Sequence, residues 1–496
     1  MDYMKIHPND DVLVLLRDYQ QGQSIQFDGL DFVIKEDIAR GHKLALHDVS
    51  VGAKVHKYGF PIGVAKEPIK AGDWVHTHNV QTGLDGTLEY DYQPDQAAAA
   101  LEKSLATKTF QGFKRKNGEV GIRNELWIIN TVGCINKTAE LVAKLGNQEG
   151  YENIDGVYHF PHPFGCSQLG DDLKHTQAIL SNLVQHPNAA GVLVLGLGCE
   201  NNYIDLFKET LGEYEVERVK FLSVQEAEDE LVEATDLLAE LAEVAKADAR
   251  EEVPASYLKV GLKCGGSDGL SGITANPLVG AFSDLLIAQG GSTILTEVPE
   301  MFGAETILMN RAKDKEVYQS IVGMVNGFKE YFIRHNQVVY ENPSPGNKKG
   351  GITTLEEKSL GCVQKGGFAP VNDVLPYGGK VTKPGLSLVE GPGNDLVSVT
   401  ALSAAGAHIV LFTTGRGTPF GGPVPTVKIS TNSHLYERKK NWIDFNAGVL
   451  VEGKAMEELA EDLLDYVLGL ASGEVTTHNE RNGFKEIALF KDGVIL

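Results

Sequence analysis

Trp74-Val75-His76-Thr77-His78-Asn79 carries two imidazoles two residues apart. On an extended strand residues i and i+2 leave the same face, so His76 and His78 can serve one cation or one anionic substrate. His42, directly after Gly41, adds a third imidazole of the same kind. Imidazole suits iron and manganese, although a His-x-His in a surface loop is as readily plain solvated sequence. A second set consists of Cys134, Cys166, Cys199 and Cys264, each just past an apolar run that reads as a strand. An open α/β sheet gathers its ligands beyond the carboxyl ends of its strands, and the helix that follows lowers a thiol pKa. Thiolates there can be nucleophiles or metal ligands, and the alternative is four small buried hydrophobes. Their spacings of 32, 33 and 65 residues match no local metal motif, so any shared site must be assembled by the fold.

Two Gly-rich turns, Gly265-Gly266-Ser267-Asp268-Gly269 and Gly415-Arg416-Gly417-Thr418, can cradle an anion through backbone N–H groups or be tight turns and nothing more. Neither is a nucleotide fingerprint. Lys43, Lys57, Arg123, Lys137, Arg416 and Lys428 are the basic residues placed to meet an anion. Glu297, Glu300 and Glu305 follow a strand ending at Thr296, where a carboxylate can bind a metal or act as acid or base.

The elements that must position these groups fall into parts. Residues 1–92 read as a compact β module: Ser24–Phe27 and Leu30–Val33 alternate around Asp28-Gly29, a hairpin turn signal. Ala45, Val49, Gly52, Val55 and His56 recur twenty residues on as Ala65, Ile69, Gly72, Val75 and His76, which suggests a pseudo-symmetric small barrel or clip. Residues 93–110, with a helix-forming Gln96–Leu101 stretch, read as a connector. Residues 111–250 alternate strand and helix, as do 255–496, and the cluster Ala249–Pro254 marks the boundary between them. The fold class is therefore α/β: a small N-terminal β-clip followed by a two-part body with mostly parallel sheets.

Lys+Arg number 45 against 67 Asp+Glu, and the formal charge of −22 opposes binding to nucleic acid or an anionic membrane. No apolar run reaches the length of a membrane span, the start is not a secretory signal, and five scattered cysteines fit a reducing compartment, so a cytoplasmic protein is expected. A homo-oligomer is compatible with all of this.

Arg40-Gly41-His42-Lys43, Lys57-Tyr58-Gly59-x-Pro61-Ile62-Gly63, His76-x-His78-Asn79, Gly121-Ile122-Arg123-Asn124, Gly133-Cys134-Ile135-Asn136-Lys137 and Thr413-Thr414-Gly415-Arg416-Gly417 together resemble the altronate/galactarate dehydratase family, in order and over essentially the whole chain. The resemblance implies a SAF-type β-clip domain on a two-part dehydratase body and a need for a divalent metal, Fe(2+) or Mn(2+). It also implies a sugar-acid substrate, with D-altronate losing water to give 2-dehydro-3-deoxy-D-gluconate. Galactarate or another aldonate or aldarate is the alternative substrate, and a non-enzymatic sugar-acid binding protein the alternative class.

Such a reaction removes a weakly acidic C2 proton, stabilises an enediolate and protonates the departing C3 hydroxyl. On that reading His42, His76 and His78 are the expected metal ligands, and Lys43 or Lys57 is the base or the carboxylate's partner. Arg123, Asn136 and Arg416 are expected to hold the polyol. Cys134, Cys166, Cys199 and Cys264 form the alternative centre, holding iron directly or as an iron–sulfur cluster.

Overall fold

The computed structural model describes residues 2–86, 89–95 and 106–496. The expected Gln96–Leu101 connector helix lies outside them. Ser24–Phe27 and Leu30–Val33 pair antiparallel with Phe27 opposite Leu30, and Asp28 and Gly29 take φ of 51° and 77°, the backbone an Asp-Gly turn provides.

The repeat is deeper than the two copies visible at 45–56 and 65–76. Four turns share apolar-x-x-x-apolar-x-x-Gly, beginning at Leu15, Ile34, Ala45 and Ala65, with the glycines at φ of 86°, 86°, 80° and 81°. They join in pairs by reciprocal bonds. Gly52 N–H donates to Ala65 O (2.7 Å) and Gly72 N–H to Ala45 O (2.9 Å), around a Val49–Ile69 bridge. Gly22 N–H donates to Ile34 O (2.8 Å) and Gly41 N–H to Leu15 O (2.7 Å), around Tyr19–Ile38. Each pair is thus a local pseudo-twofold, and only glycine holds these turns without strain.

Beyond the β-clip, a four-stranded parallel sheet runs in the order Gly156–His159, Glu125–Asn130, Ala189–Gly196, Val219–Ser223. A seven-stranded parallel sheet runs Val371–Leu375, Gly385–Val389, Ser292–Leu295, Lys259–Cys264, Ile409–Thr414, Thr426–Ser430, Phe445–Asn446. The fold class is the expected one. An acidic helix covers Glu230–Ala245, started by Asp229 accepting from Leu231 and Val232 N–H. Arg250–Pro254 then forms a strand antiparallel to Thr109–Lys114, so the chain enters and leaves the first α/β unit at adjacent points. The Lys315–Arg334 helix, unforeseen, carries Gly323 and Gly327 inside it, which weakens its sequence signal. Among the described residues no helix is long and apolar enough to cross a membrane.

An apolar core and a close backbone approach help dock the β-clip on the large sheet. Val12, Val49, Val55, Ile62 and Val75 belong to the same apolar core as Leu278, Phe282 and Leu355. Gly41, Gly269 and Gly351 also meet backbone to backbone: a Cβ on Gly269 would lie 1.9 Å from Gly41 O and one on Gly351 2.4 Å from it. Gly269→Ala should therefore prise the domains apart, costing roughly 2–4 kcal/mol. A lowered melting temperature with faster proteolysis of residues 1–83 is the expected outcome, and an unchanged melting curve refutes this docking.

Candidate functional site at the domain junction

The Leu355–Cys362 helix, buried along its whole length, organises the junction. Thr354 caps it, accepting from Glu357 N–H at 3.2 Å, and the Thr354 hydroxyl donates to Ile62 O of the β-clip. Glu356 accepts from Gly83 N–H (2.7 Å) and the Thr82 hydroxyl (3.0 Å). Glu357 leaves the usual capping-box route and reaches two lysines of the β-clip, Lys43 Nζ and Lys57 Nζ, each at 2.8 Å. All three side chains are at most 1% exposed.

One carboxylate facing two ammonium groups leaves a surplus positive charge, and the proton most easily lost is on Lys43. Burial, with Lys57 beside it, brings the Lys43 pKa down to about 8, against the pull of Glu357. For Lys57 burial is outweighed by Glu357 and Tyr58, which hold it charged. Glu357 is likewise kept ionised, its burial more than offset by the two lysines. Lys43 also donates to Gly351 O (2.7 Å) and the Thr353 hydroxyl (2.8 Å), which uses all three of its protons.

His76 stands beside them, its Nδ1 3.1 Å from Thr353 Oγ1. Burial, Lys43 and His42 drive its pKa to about 3, so it is a neutral imidazole. The expected His-x-His strand face is not formed: the strand ends at Val75 and residues 76–79 turn, closed by Asn79 N–H on His76 O (3.0 Å) and by Asn79 Oδ1 accepting from His76 N–H (2.9 Å). His76 and His78 both lie against the Trp74 indole, at 5.3 and 5.1 Å, with His78 exposed. His42 accepts from Trp74 Nε1 at Nδ1 (3.1 Å), which occupies its one lone pair, while Nε2 faces Lys349 O. As placed, His42 has no lone pair left for a cation.

Among the described residues the group that brings three possible ligand atoms within 4.8 Å of one another is Cys264, Glu300 and Cys362. Cys264 ends the central Lys259–Cys264 strand, and Cys362 ends the helix whose first turn holds Glu357. Cys264 Sγ lies 3.4 Å from Cys362 Sγ, 3.2 Å from Glu300 Oε2 and 2.8 Å from Lys365 Nζ. The Cys362 thiol, and after it Lys365 and Lys263, bring Cys264 to about 6 against its burial, and Cys362 is pushed up in turn. The two thiols titrate as a coupled pair, with Cys264 the more acidic of the two. Lys358 pairs with Glu300 at 2.8 Å. Glu297, at φ 68°, meets Lys263 Nζ at 2.6 Å, and burial with Glu300 nearby pushes its carboxyl well above the usual range. A narrow cavity lined by Lys57, Tyr58, Asp268, Asn276, Glu357 and Cys362 runs from the Lys57–Glu357 pair to the Cys362 end of the helix.

The remaining sequence candidates are dispersed. Arg123 bonds Glu480 at 2.8 Å and the carbonyls of Ile122 and Leu470, bracing the first α/β unit against the C-terminal helices. Asn136 joins Asn130 to His162 O at the end of the four-stranded sheet. Arg416 is exposed, donating to Gly346 O at 3.2 Å. The two Gly-rich turns close around the chain's own Asp268, which accepts from the Thr431 hydroxyl (3.0 Å) and Leu270 N–H (3.1 Å). Cys264 sits apart from the other three: Cys134, Cys166 and Cys199 are exposed at the edge of the other sheet. Sequence reasoning missed Glu357 and Lys365 as site residues. Thr354-x-x-Glu357 was a readable helix start, yet nothing local announces partners 300 and 314 residues away.

The β-clip and the two α/β parts each match a domain of the sugar-acid dehydratases. Residues 1–83 match the altronate/galactarate dehydratase SAF domain, 112–246 the second domain of D-galactarate dehydratase/altronate hydrolase, and 255–495 the D-galactarate/altronate dehydratase C-terminal domain. The chain belongs to the altronate/galactarate dehydratase family. It is 54% identical to altronate dehydratase of Bacillus subtilis, over all of this chain and 99% of that one. It is 53% identical to altronate dehydratase of Escherichia coli over the full length of both. Galactarate dehydratase (L-threo-forming) of Escherichia coli is 33% identical, with 98% of this chain and 96% of that one covered.

Removing the Glu357 charge leaves two buried cations facing each other. Glu357→Gln should destabilise the protein by roughly 3–5 kcal/mol. Because the native carboxyl is held below its ordinary value of about 4.5, its contribution is complete above that pH and lost as pH falls. The wild-type melting temperature should drop on acidification below about pH 4.5, and the part of that slope due to Glu357 should vanish in the variant, as read by calorimetry across pH.

Proposed function

We propose that the protein is a hydro-lyase that takes water from D-altronate to give 2-dehydro-3-deoxy-D-gluconate at the junction of the β-clip and the seven-stranded sheet. The observation that carries this is the buried Lys43–Glu357–Lys57 bridge beside neutral His76, in a chain alike over its full length to two altronate dehydratases. Lys57 has donors beyond its one bond to Glu357 and borders the cavity, so it suits the substrate carboxylate. Lys43, titrating near neutrality, suits the C2 proton once substrate replaces one of its present acceptors. Glu297, whose carboxyl pKa is raised by burial and by Glu300, suits the departing hydroxyl as an acid. Arg416 lies outside the cavity, and Arg123 and Asn136 act as supports.

The family resemblance calls for a divalent ion. Two thiols and a carboxylate at 3.2–3.4 Å are a donor set for iron rather than manganese, with Lys365 and Lys358 turning aside to release them. Bound there, such an ion supplies Lewis acidity. His76, its Nε2 unbonded among the described residues, is the buried member of the histidine set still able to ligate. A cytoplasmic setting suits five free thiols, and the charge of −22 argues against nucleic acid as a partner.

Purified protein given D-altronate with Fe(II) under reductant should release a 2-keto acid, measured by its semicarbazone absorbance, and galactarate should be the poorer substrate. No product from any aldonate or aldarate defeats the enzyme reading and leaves a binding protein. Lys43→Met should lower kcat by roughly 10²–10⁴-fold. In the wild type kcat/KM should rise with pH and level off above about 8, where Lys43 is the free amine. A flat profile removes Lys43 from the role of base.

A further inference from the structure

Three cysteines remain unused by the junction. Each follows a glycine, in Gly133-Cys134, Gly165-Cys166 and Gly198-Cys199, and each is exposed just past one of three adjacent strands of the four-stranded sheet. Exposed free thiols are uncommon on a protein surface, and three on one sheet end call for a ligand.

The loops that carry them are locked together. Gly133 N–H donates to Phe164 O at 2.8 Å, and a Cβ on Gly133 would fall 2.4 Å from His162 O. A Cβ on Gly165, at φ 99°, would fall 2.0 Å from Thr131 O. The third loop joins through Asn202 N–H on Gly165 O (3.0 Å), Asn202 Nδ2 on Thr131 O (3.0 Å) and Ser167 N–H on Asn201 Oδ1 (2.7 Å). Glu200, buried under Cys199, ties Thr131 Oγ1 (2.6 Å) to Gly198 N–H (2.6 Å). Asn136 fastens the Cys134 helix to His162 O. Such bracing fixes where the three thiols emerge. In the Cys166 loop the Gln168 side chain is 1% exposed and its Nε2 donor has no partner, although its Oε1 is satisfied by Gly165 N–H. A buried N–H without an acceptor is costly, and sulfide or thiolate sulfur is an acceptor that would relieve it.

We propose that Cys134, Cys166 and Cys199 together hold a cubane iron–sulfur cluster, three of its irons on the three thiolates and the fourth open to water or to an oxygen ligand. Thiolates on three separate loops at separations too wide for one shared ion, since they form no group within 4.8 Å, suit a cluster better than a single metal. Cys264, buried in the other sheet, is not part of it. This site is independent of the junction reading, and its test does not use turnover.

The full chain, expressed with iron and purified without oxygen, should be brown and contain about four irons and about four acid-labile sulfides. Cys134→Ser, Cys166→Ser and Cys199→Ser, all at exposed positions and checked for folding by circular dichroism, should each abolish the sulfide content and the colour. Iron at about one per chain without sulfide, or sulfide retained in the three variants, overturns the proposal.

Discussion

A single carboxylate between two buried ammonium groups holds the molecule's working parts in register. Glu357 is fixed by its helix, and Lys43 and Lys57 by separate strands of the β-clip. Each charge would cost several kcal/mol if buried alone, so the three are stable only when the domains are docked. The apolar contacts of the same interface supply area, whereas the ion triad supplies a geometry that neither domain can hold by itself.

The helix that bears Glu357 also transmits that geometry. Cys362 comes five positions after Glu357, about 7.5 Å of rise, and Lys358 between them binds Glu300. A displacement of the β-clip is therefore felt at the thiol pair, and the state of the thiols at the lysines. Groups of opposite charge alternate along this path, Lys57, Glu357, Lys358, Glu300 and Lys365, all of them buried.

Local chemistry was legible in the sequence and distant pairing was not. Asp28-Gly29 announced its hairpin, and half of the fourfold turn pattern was visible because the copies at 45 and 65 share a Val-His ending that the earlier two lack. The His-x-His reading assumed a strand that Asn79 curls into a turn, and equivalent repeat positions have unlike surroundings: His56 meets Asp11 at 2.8 Å while His76 faces Thr353. Cys134, Cys166 and Cys199 lie past strands as expected, whereas Cys264 is the last residue of one, and the one set of four was two, because nothing in their spacing tells which sheet a strand joins. Lysines 43, 57, 263 and 365 are almost wholly buried, the opposite of what a lysine in an acidic chain suggests, because their partners arrive from other elements.

The order of synthesis meets this arrangement awkwardly. The β-clip is complete before residue 90, yet the carboxylate that neutralises Lys57 comes 300 residues later. At ribosomal speed that is a wait of about 15–60 s, during which the finished clip must keep both lysines hydrated and its docking face open. Nascent chains of this protein thus leave the apolar docking face and the two lysines without partners for most of their translation.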